Sequence, residues 1–237
     1  MSPTLVELDI FRSRRKAVPL SALWKCIMRS RCRHTLSKLN IALLDRGDRD
    51  ILIRRFAPLN FAEAFRCFPN ITTLIIPSIF LDKDAIFALA SISSLRVLHI
   101  SLCDKDEGLP RPPPTTKVAF FQQLEDLEIH AGLQMTLQTF LKCIWCQVLR
   151  SFVLLRTPGN VTWNVNELCA LAVDCINPMS LQHFMVLHSP YPQGSVTCNT
   201  RSCQSSCHSG AALPLLSTFK NLLHFKFVVD PEVDSHP

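Results

Sequence analysis

The sequence predicts an α/β chain in which short parallel strands alternate with helices, the strands forming one sheet and the helices covering its other side. Three observations predict this. A strand phrase recurs along the chain, apolar stripes of helical period fill most of the intervals, and prolines crowd the one interval without a stripe.

The strand phrase is apolar-x-x-apolar-x-apolar. It stands at Leu5/Leu8/Ile10, Leu36/Leu39/Ile41, Ile71/Leu74/Ile76 and Leu95/Leu98/Ile100. It returns at Leu124/Leu127/Ile129, Leu149/Phe152/Leu154, Leu181/Phe184/Val186 and Leu222/Phe225/Phe227. In a chain that is 48% hydrophobic the phrase alone is weak, because many copies arise by chance.

The intervals carry the weight. Residues at i, i+3, i+4 and i+7 share one face of a helix. Such stripes occur at Leu20/Leu23/Trp24/Ile27, Phe61/Ala64/Phe65/Phe68 and Leu137/Phe140/Leu141/Ile144. They recur at Leu168/Leu171/Ala172/Cys175 and Ala212/Leu215/Leu216/Phe219, with a shorter one at Ile86/Leu89/Ala90. Asn60 with Glu63 has capping-box spacing, and Asp82 and Asn164 can accept from the free N–H groups that open a helix. The interval from Cys103 to Ala119 contains Pro110, Pro112, Pro113 and Pro114. Proline removes a backbone donor and clashes with the preceding turn, so this interval reads as a loop.

One strand–helix unit cannot bury its apolar face alone, whereas stacked units share a continuous core. The expectation is one domain over residues 1–237, with surface-loop insertions at 103–118 and 188–211. A doubly wound sheet also alternates strand and helix and is the alternative, although it has no need to repeat one strand phrase.

These residues resemble the leucine-rich-repeat family. The best match is Leu95-x-x-Leu98-x-Ile100-x-x-Cys103, with cysteine where the family places Asn or Cys; Leu44, Gly132 and Thr157 occupy that position elsewhere. More narrowly, the chain resembles the repeat portion of fungal F-box proteins. Phe68-Pro69-Asn70-Ile71-Thr72-Thr73-Leu74-Ile75-Ile76 carries their apolar-Pro-Asn-apolar-x-x-Leu phrase, echoed from Ile92 to Ile100 and from Phe121 to Ile129. The resemblance implies an irregular solenoid with a parallel sheet on the concave side and helices on the convex side. It also implies recognition of a target protein. An F-box is not found in the sequence, so a ubiquitin-ligase scaffold becomes a partner only if one lies upstream.

Composition removes several function classes. With 19% charged residues the chain is globular rather than disordered. Its six glycines include no G-x-G pair, so no backbone cradle for phosphate is expected. Neither a G-x-S-x-G elbow nor an H-E-x-x-H pair occurs. The first residues lack the pattern of a signal peptide, and no apolar run approaches the ~20 residues of a membrane span. The expected setting is cytoplasmic or nuclear, with the 11 cysteines reduced and no membrane partner.

The net charge is +6, and nine Lys or Arg residues with no acid lie between Arg12 and Leu44. This stretch reads as a solvated helix face plus a basic loop; an acidic partner, or nuclear import through Arg14-Arg15-Lys16, are the functional alternatives. Aromatic residues do not interleave with these charges as a single-strand stacking platform requires, which argues against nucleic acid.

Candidate chemistry is sparse. Cys143-Ile144-Trp145-Cys146 has redox spacing, but both cysteines fall at the end of a stripe rather than at a helix N-terminus, so they read as packed thiols. Cys198, Cys203, Cys207 and His208 match no common zinc pattern, and neither metal nor cofactor is expected. Asn70-Ile71-Thr72 and Asn160-Val161-Thr162 match the glycosylation pattern only incidentally.

The remaining site is a surface. In each strand phrase the third, fifth and seventh positions face away from the core. They would present His99, Asp126, Glu128, His130, His183, Met185, His224 and Lys226, beside Glu7, Asp9, Lys38, Asn40, Val97, Ser101, Ser151 and Val153. Asp126 and Glu128 share one face and have no Lys or Arg at neighbouring positions, so they are expected to be unpaired and open to a basic segment of a target protein. The functional expectation is therefore a protein-interaction module without catalysis. Its rivals are an α/β enzyme of unrecognised type and a fragment without independent function.

Overall fold

A computed structural model describes residues 6–12, 29, 34–43, 61–81, 83–102, 119–131, 134–156, 165–188 and 216–227. Along the chain come β1 (Glu7–Arg12), β2 (Lys38–Leu43), α1 (Phe61–Arg66), β3 (Thr73–Leu81), α2 (Lys83–Ala90), β4 (Val97–Leu102) and β5 (Ala119–Phe121). Then follow β6 (Asp126–Ala131), α3 (Gln134–Leu141), β7 (Ile144–Cys146), β8 (Ser151–Arg156), α4 (Val165–Cys175), β9 (His183–His188) and β10 (His224–Phe227).

Eight of these strands form one sheet in the order β1-β2-β3-β4-β6-β8-β9-β10, and every neighbouring pair is parallel. Each strand phrase supplies one strand, and each strand begins at the third position of its phrase. The order follows the chain without reversal among the described strands, whereas a doubly wound sheet reverses at its switch point.

The repeat extends to single hydrogen bonds. The carbonyl of the second phrase residue accepts from two successive N–H groups of the next unit. Val6 accepts from Ser37 and Lys38, Ser37 from Thr72 and Thr73, Thr72 from Arg96 and Val97, and Arg96 from Glu125 and Asp126. The series continues from Glu125 to Arg150 and Ser151, from Arg150 to Gln182 and His183, and from Gln182 to Leu223 and His224. Seven junctions thus share one geometry, because each unit presents the same backbone to the next.

The fourth and sixth phrase positions form the core. Leu39, Ile41, Leu74, Ile76, Leu98, Ile100, Leu127, Ile129, Phe152, Leu154, Phe184 and Val186 are buried in one cluster with Phe65, Leu89, Phe140 and Leu168 from the helices. The helical faces therefore share the core side of the sheet. Burial of such a side chain stabilises by about 1.5–3 kcal/mol. Phe152 and Phe184 stack in neighbouring units at 5.4 Å and 9°, and Phe184 meets Phe225 at 5.6 Å.

The stripes from Ile86 and Leu168 form α2 and α4, and the stripe from Phe61 forms α1 as far as Arg66, with Phe68 beyond the helix end. The stripe at Leu20 lies outside the described residues, as do Ala212 and Leu215 and the capping residues Asn60, Asp82 and Asn164. The stripe from Leu137 is corrected: α3 ends at Leu141, and Ile144 belongs to β7. β7 pairs in parallel with β5, whose first residue, Ala119, had marked the end of the proline-rich interval. Residues 103–118 and 189–211 lie outside the described residues.

β3 is longer than its neighbours, and its pairing with β4 shifts between Ile76 and Phe80. Pro77 sits at the shift, where it has no N–H to give a ladder.

Candidate interaction face

The face of the sheet away from the core is organised in two rows. Parallel in-register pairing aligns the third phrase positions as Glu7, Lys38, Thr73, Val97, Asp126, Ser151, His183 and His224. It aligns the fifth positions as Asp9, Asn40, Ile75, His99, Glu128, Val153, Met185 and Lys226. All eight candidate residues stand on this face. His99, Asp126, Glu128, His130, His183 and Met185 are half-buried, while His224 and Lys226 are exposed. Two residues expected in the open are covered instead: Ser101 and Val153 are buried.

The expectation that Asp126 and Glu128 stand unpaired is overturned. His99 of β4 lies across from Glu128, with Nδ1 3.9 Å from Glu128 Oε2 and Nε2 3.8 Å from Asp126 Oδ1. His130, two residues along β6, is hydrogen-bonded to Glu128 through Nε2 and Oε1 at 2.8 Å. Neither Lys nor Arg stands at the neighbouring third and fifth positions, and histidine supplies the pairing instead.

The cluster sets its own protonation. Burial opposes the charged form of His99 most strongly, but Asp126 and Glu128 together outweigh it, so its pKa stands above the ordinary value. The hydrogen bond from His130 is the main cause that holds Glu128 below the ordinary carboxylate range, against the opposing cost of burial.

Glu125 belongs elsewhere. It joins Arg96 and Arg150 of the adjacent units in an ion-pair chain at the start of the strands, 3.8 Å from Arg150. At the first strand, Lys38 lies 3.4 Å from Glu7 and 3.8 Å from Asp9, so one ammonium serves two carboxylates. At the last, His183 and His224 lie with ring centroids 6.0 Å apart. The face thus runs from acidic at β1, through the acid–histidine cluster, to basic at β10. In its fifth-position row Asn40 Oδ1 is buried with no hydrogen-bond partner among the described residues, and His99 Nε2 is buried with the 3.8 Å ion pair to Asp126 in place of a hydrogen bond.

Among the described residues no group of His, Cys, Asp and Glu side chains is arranged to hold a metal ion. The Cys198–His208 motif lies outside them. Cys143 and Cys146 are buried, and burial pushes the Cys146 thiol up to about 12. Such a thiol is protonated and unreactive, the opposite of what a redox pair needs. No described helix is long and apolar enough to cross a membrane.

No family model, curated protein or solved structure matches the chain.

Proposed function

We propose that the chain is a leucine-rich-repeat-like solenoid whose open sheet face binds a target protein without catalysis. One observation carries the reading: a non-reversing parallel sheet buries one face and leaves ionic and polar side chains along the other. Such extended faces suit the recognition of polypeptides rather than the enclosure of small molecules. The resemblance to the repeat portion of F-box proteins supports target recognition as the role.

The centre of recognition is the cluster of His99, Asp126, Glu128 and His130. Its two carboxylates draw a Lys- or Arg-bearing segment, and Asn40 Oδ1, which has no hydrogen-bond partner among the described residues, lies on the same face. As His99 loses its proton the cluster becomes more negative, so a basic segment binds more tightly as pH rises through that titration. Added salt weakens the attraction.

Peptides selected on the folded chain from a random display library test this. The expected binders are rich in Lys and Arg, and they bind the folded Asp126→Lys/Glu128→Lys variant at least about tenfold more weakly at low salt. Selected peptides of no particular charge, or equal binding by parent and variant, refute the reading.

A further inference from the structure

The two ends of the sheet are complementary. β1 and β10 are the outermost strands, and no described strand pairs with the outer edge of either. An uncovered strand edge is a template for another strand. Apolar side chains are uncovered at both ends: Val6 is 48% exposed, Leu223 73% and Phe225 37%. Phe225 occupies the fourth phrase position, where Leu98, Leu127, Phe152 and Phe184 are at most 1% exposed. The difference is that those residues have a further described unit packed beyond them, whereas among the described residues no unit follows Phe225.

Charge completes the match. Glu7 and Asp9 occupy the third and fifth positions of β1, and together they outnumber Lys38, their one partner among the described residues. His224 and Lys226 occupy the same positions of β10 and are exposed. The register that holds throughout the sheet would set Glu7 beside His224, Leu8 beside Phe225 and Asp9 beside Lys226.

We propose that β10 of one copy pairs in parallel with β1 of a second copy, so that the sheet continues from molecule to molecule. The repeated junction geometry names the bonds: the Leu223 carbonyl accepts from the N–H groups of Val6 and Glu7 of the next copy. The contact is head-to-tail, and it leaves one free edge of each kind on every assembly. It therefore generates chains of variable length rather than a closed dimer.

The test is the mass of the full chain in solution, measured by light scattering and sedimentation across concentration and salt. Average mass rises with concentration beyond a dimer at about 0.05 M salt and falls back towards the monomer at about 0.5 M, where charges are screened. Two folded variants then separate the ends. Glu7→Lys/Asp9→Lys keeps only the β10 edge, and His224→Glu/Lys226→Glu keeps only the β1 edge. Each alone stays monomeric, and an equimolar mixture forms a heterodimer that grows no further. Leu223→Ser, which leaves both charge sets intact, also reduces assembly. A chain that stays monomeric at every concentration overturns the proposal, as does a homodimer that grows no further or a mixture of the two variants that remains monomeric.

Discussion

Histidine 99 is the residue on which most of the surface chemistry turns. It sits in the middle of the sheet, half-buried, between carboxylates of the next strand. Because its pKa is raised, its charged form contributes stability that is fully present below the ordinary value of 6.5. That contribution is lost as pH rises through the folded value. Glu128 is lowered, so its contribution is present above 4.5 and is lost as pH falls through its folded value. Together they stabilise most between about 4.5 and 6.5. Denaturant midpoints measured across pH should therefore fall for the parent above 6.5, and this part of the fall should be missing from His99→Gln. Superimposable profiles for the two proteins would show that the cluster is not coupled to folding. Little of this was legible beforehand. The sequence placed His99, Asp126, Glu128 and His130 on one face by period alone, but which of them met depended on side-chain reach across the strands. Glu125 shows the same limit: it adjoins Asp126 in sequence yet pairs with Arg96 and Arg150 of the neighbouring units.

At the scale of elements, legibility followed the length of the signal. A strand phrase of six residues repeated eight times located all eight strands of the main sheet, and three helices arose from their stripes. β5 and β7, three residues each, carry no period of their own and were missed; Ile144 fitted the helical stripe while belonging to a strand. Polar links between units also escaped the pattern. The residue before the phrase does this work: Asn70 Nδ2 donates to the His34 carbonyl at 2.6 Å, and Asn221 Nδ2 to the Met179 carbonyl at 2.6 Å. Ser94 Oγ donates to the Ile71 carbonyl at 2.8 Å. The position where the family places Asn or Cys falls outside the described residues in the units with Leu44, Cys103, Gly132 and Thr157. The phenylalanine series gives an element-scale prediction. Phe184 is fully buried between Phe152 and Phe225, whereas Phe225 has one packed neighbour unit among the described residues and is 37% exposed. Phe184→Ala should cost about 3–5 kcal/mol, the usual range for a buried phenylalanine. Phe225→Ala should cost clearly less, since part of its surface is already in water. Equal losses in chemical denaturation would mean that something covers Phe225 in solution.

Across the whole molecule the organising fact is that, among the described strands, each strand of the main sheet is hydrogen-bonded only to the strands beside it in the sheet order. Stability in such an array is close to a sum of unit terms and nearest-neighbour terms. Units near the middle of the sheet have two neighbours and can open only by breaking two junctions. The unit of β10 has one neighbour among the described units, a four-residue strand and exposed Leu223 and Phe225. Local opening free energies should therefore fall from the middle of the sheet towards this edge. Hydrogen exchange followed by mass spectrometry measures the gradient directly. In dilute protein at high salt, where association between molecules is suppressed, peptides covering β4, β6 and β8 should exchange slowest and the peptide covering β10 fastest. The core supports this ordering independently of the helices, because Leu98, Leu127 and Phe152 are shielded from water by units on both sides. Uniform protection from β4 to β10 would show that the sheet opens only as one cooperative block. The nearest-neighbour account of its stability would then have to be abandoned.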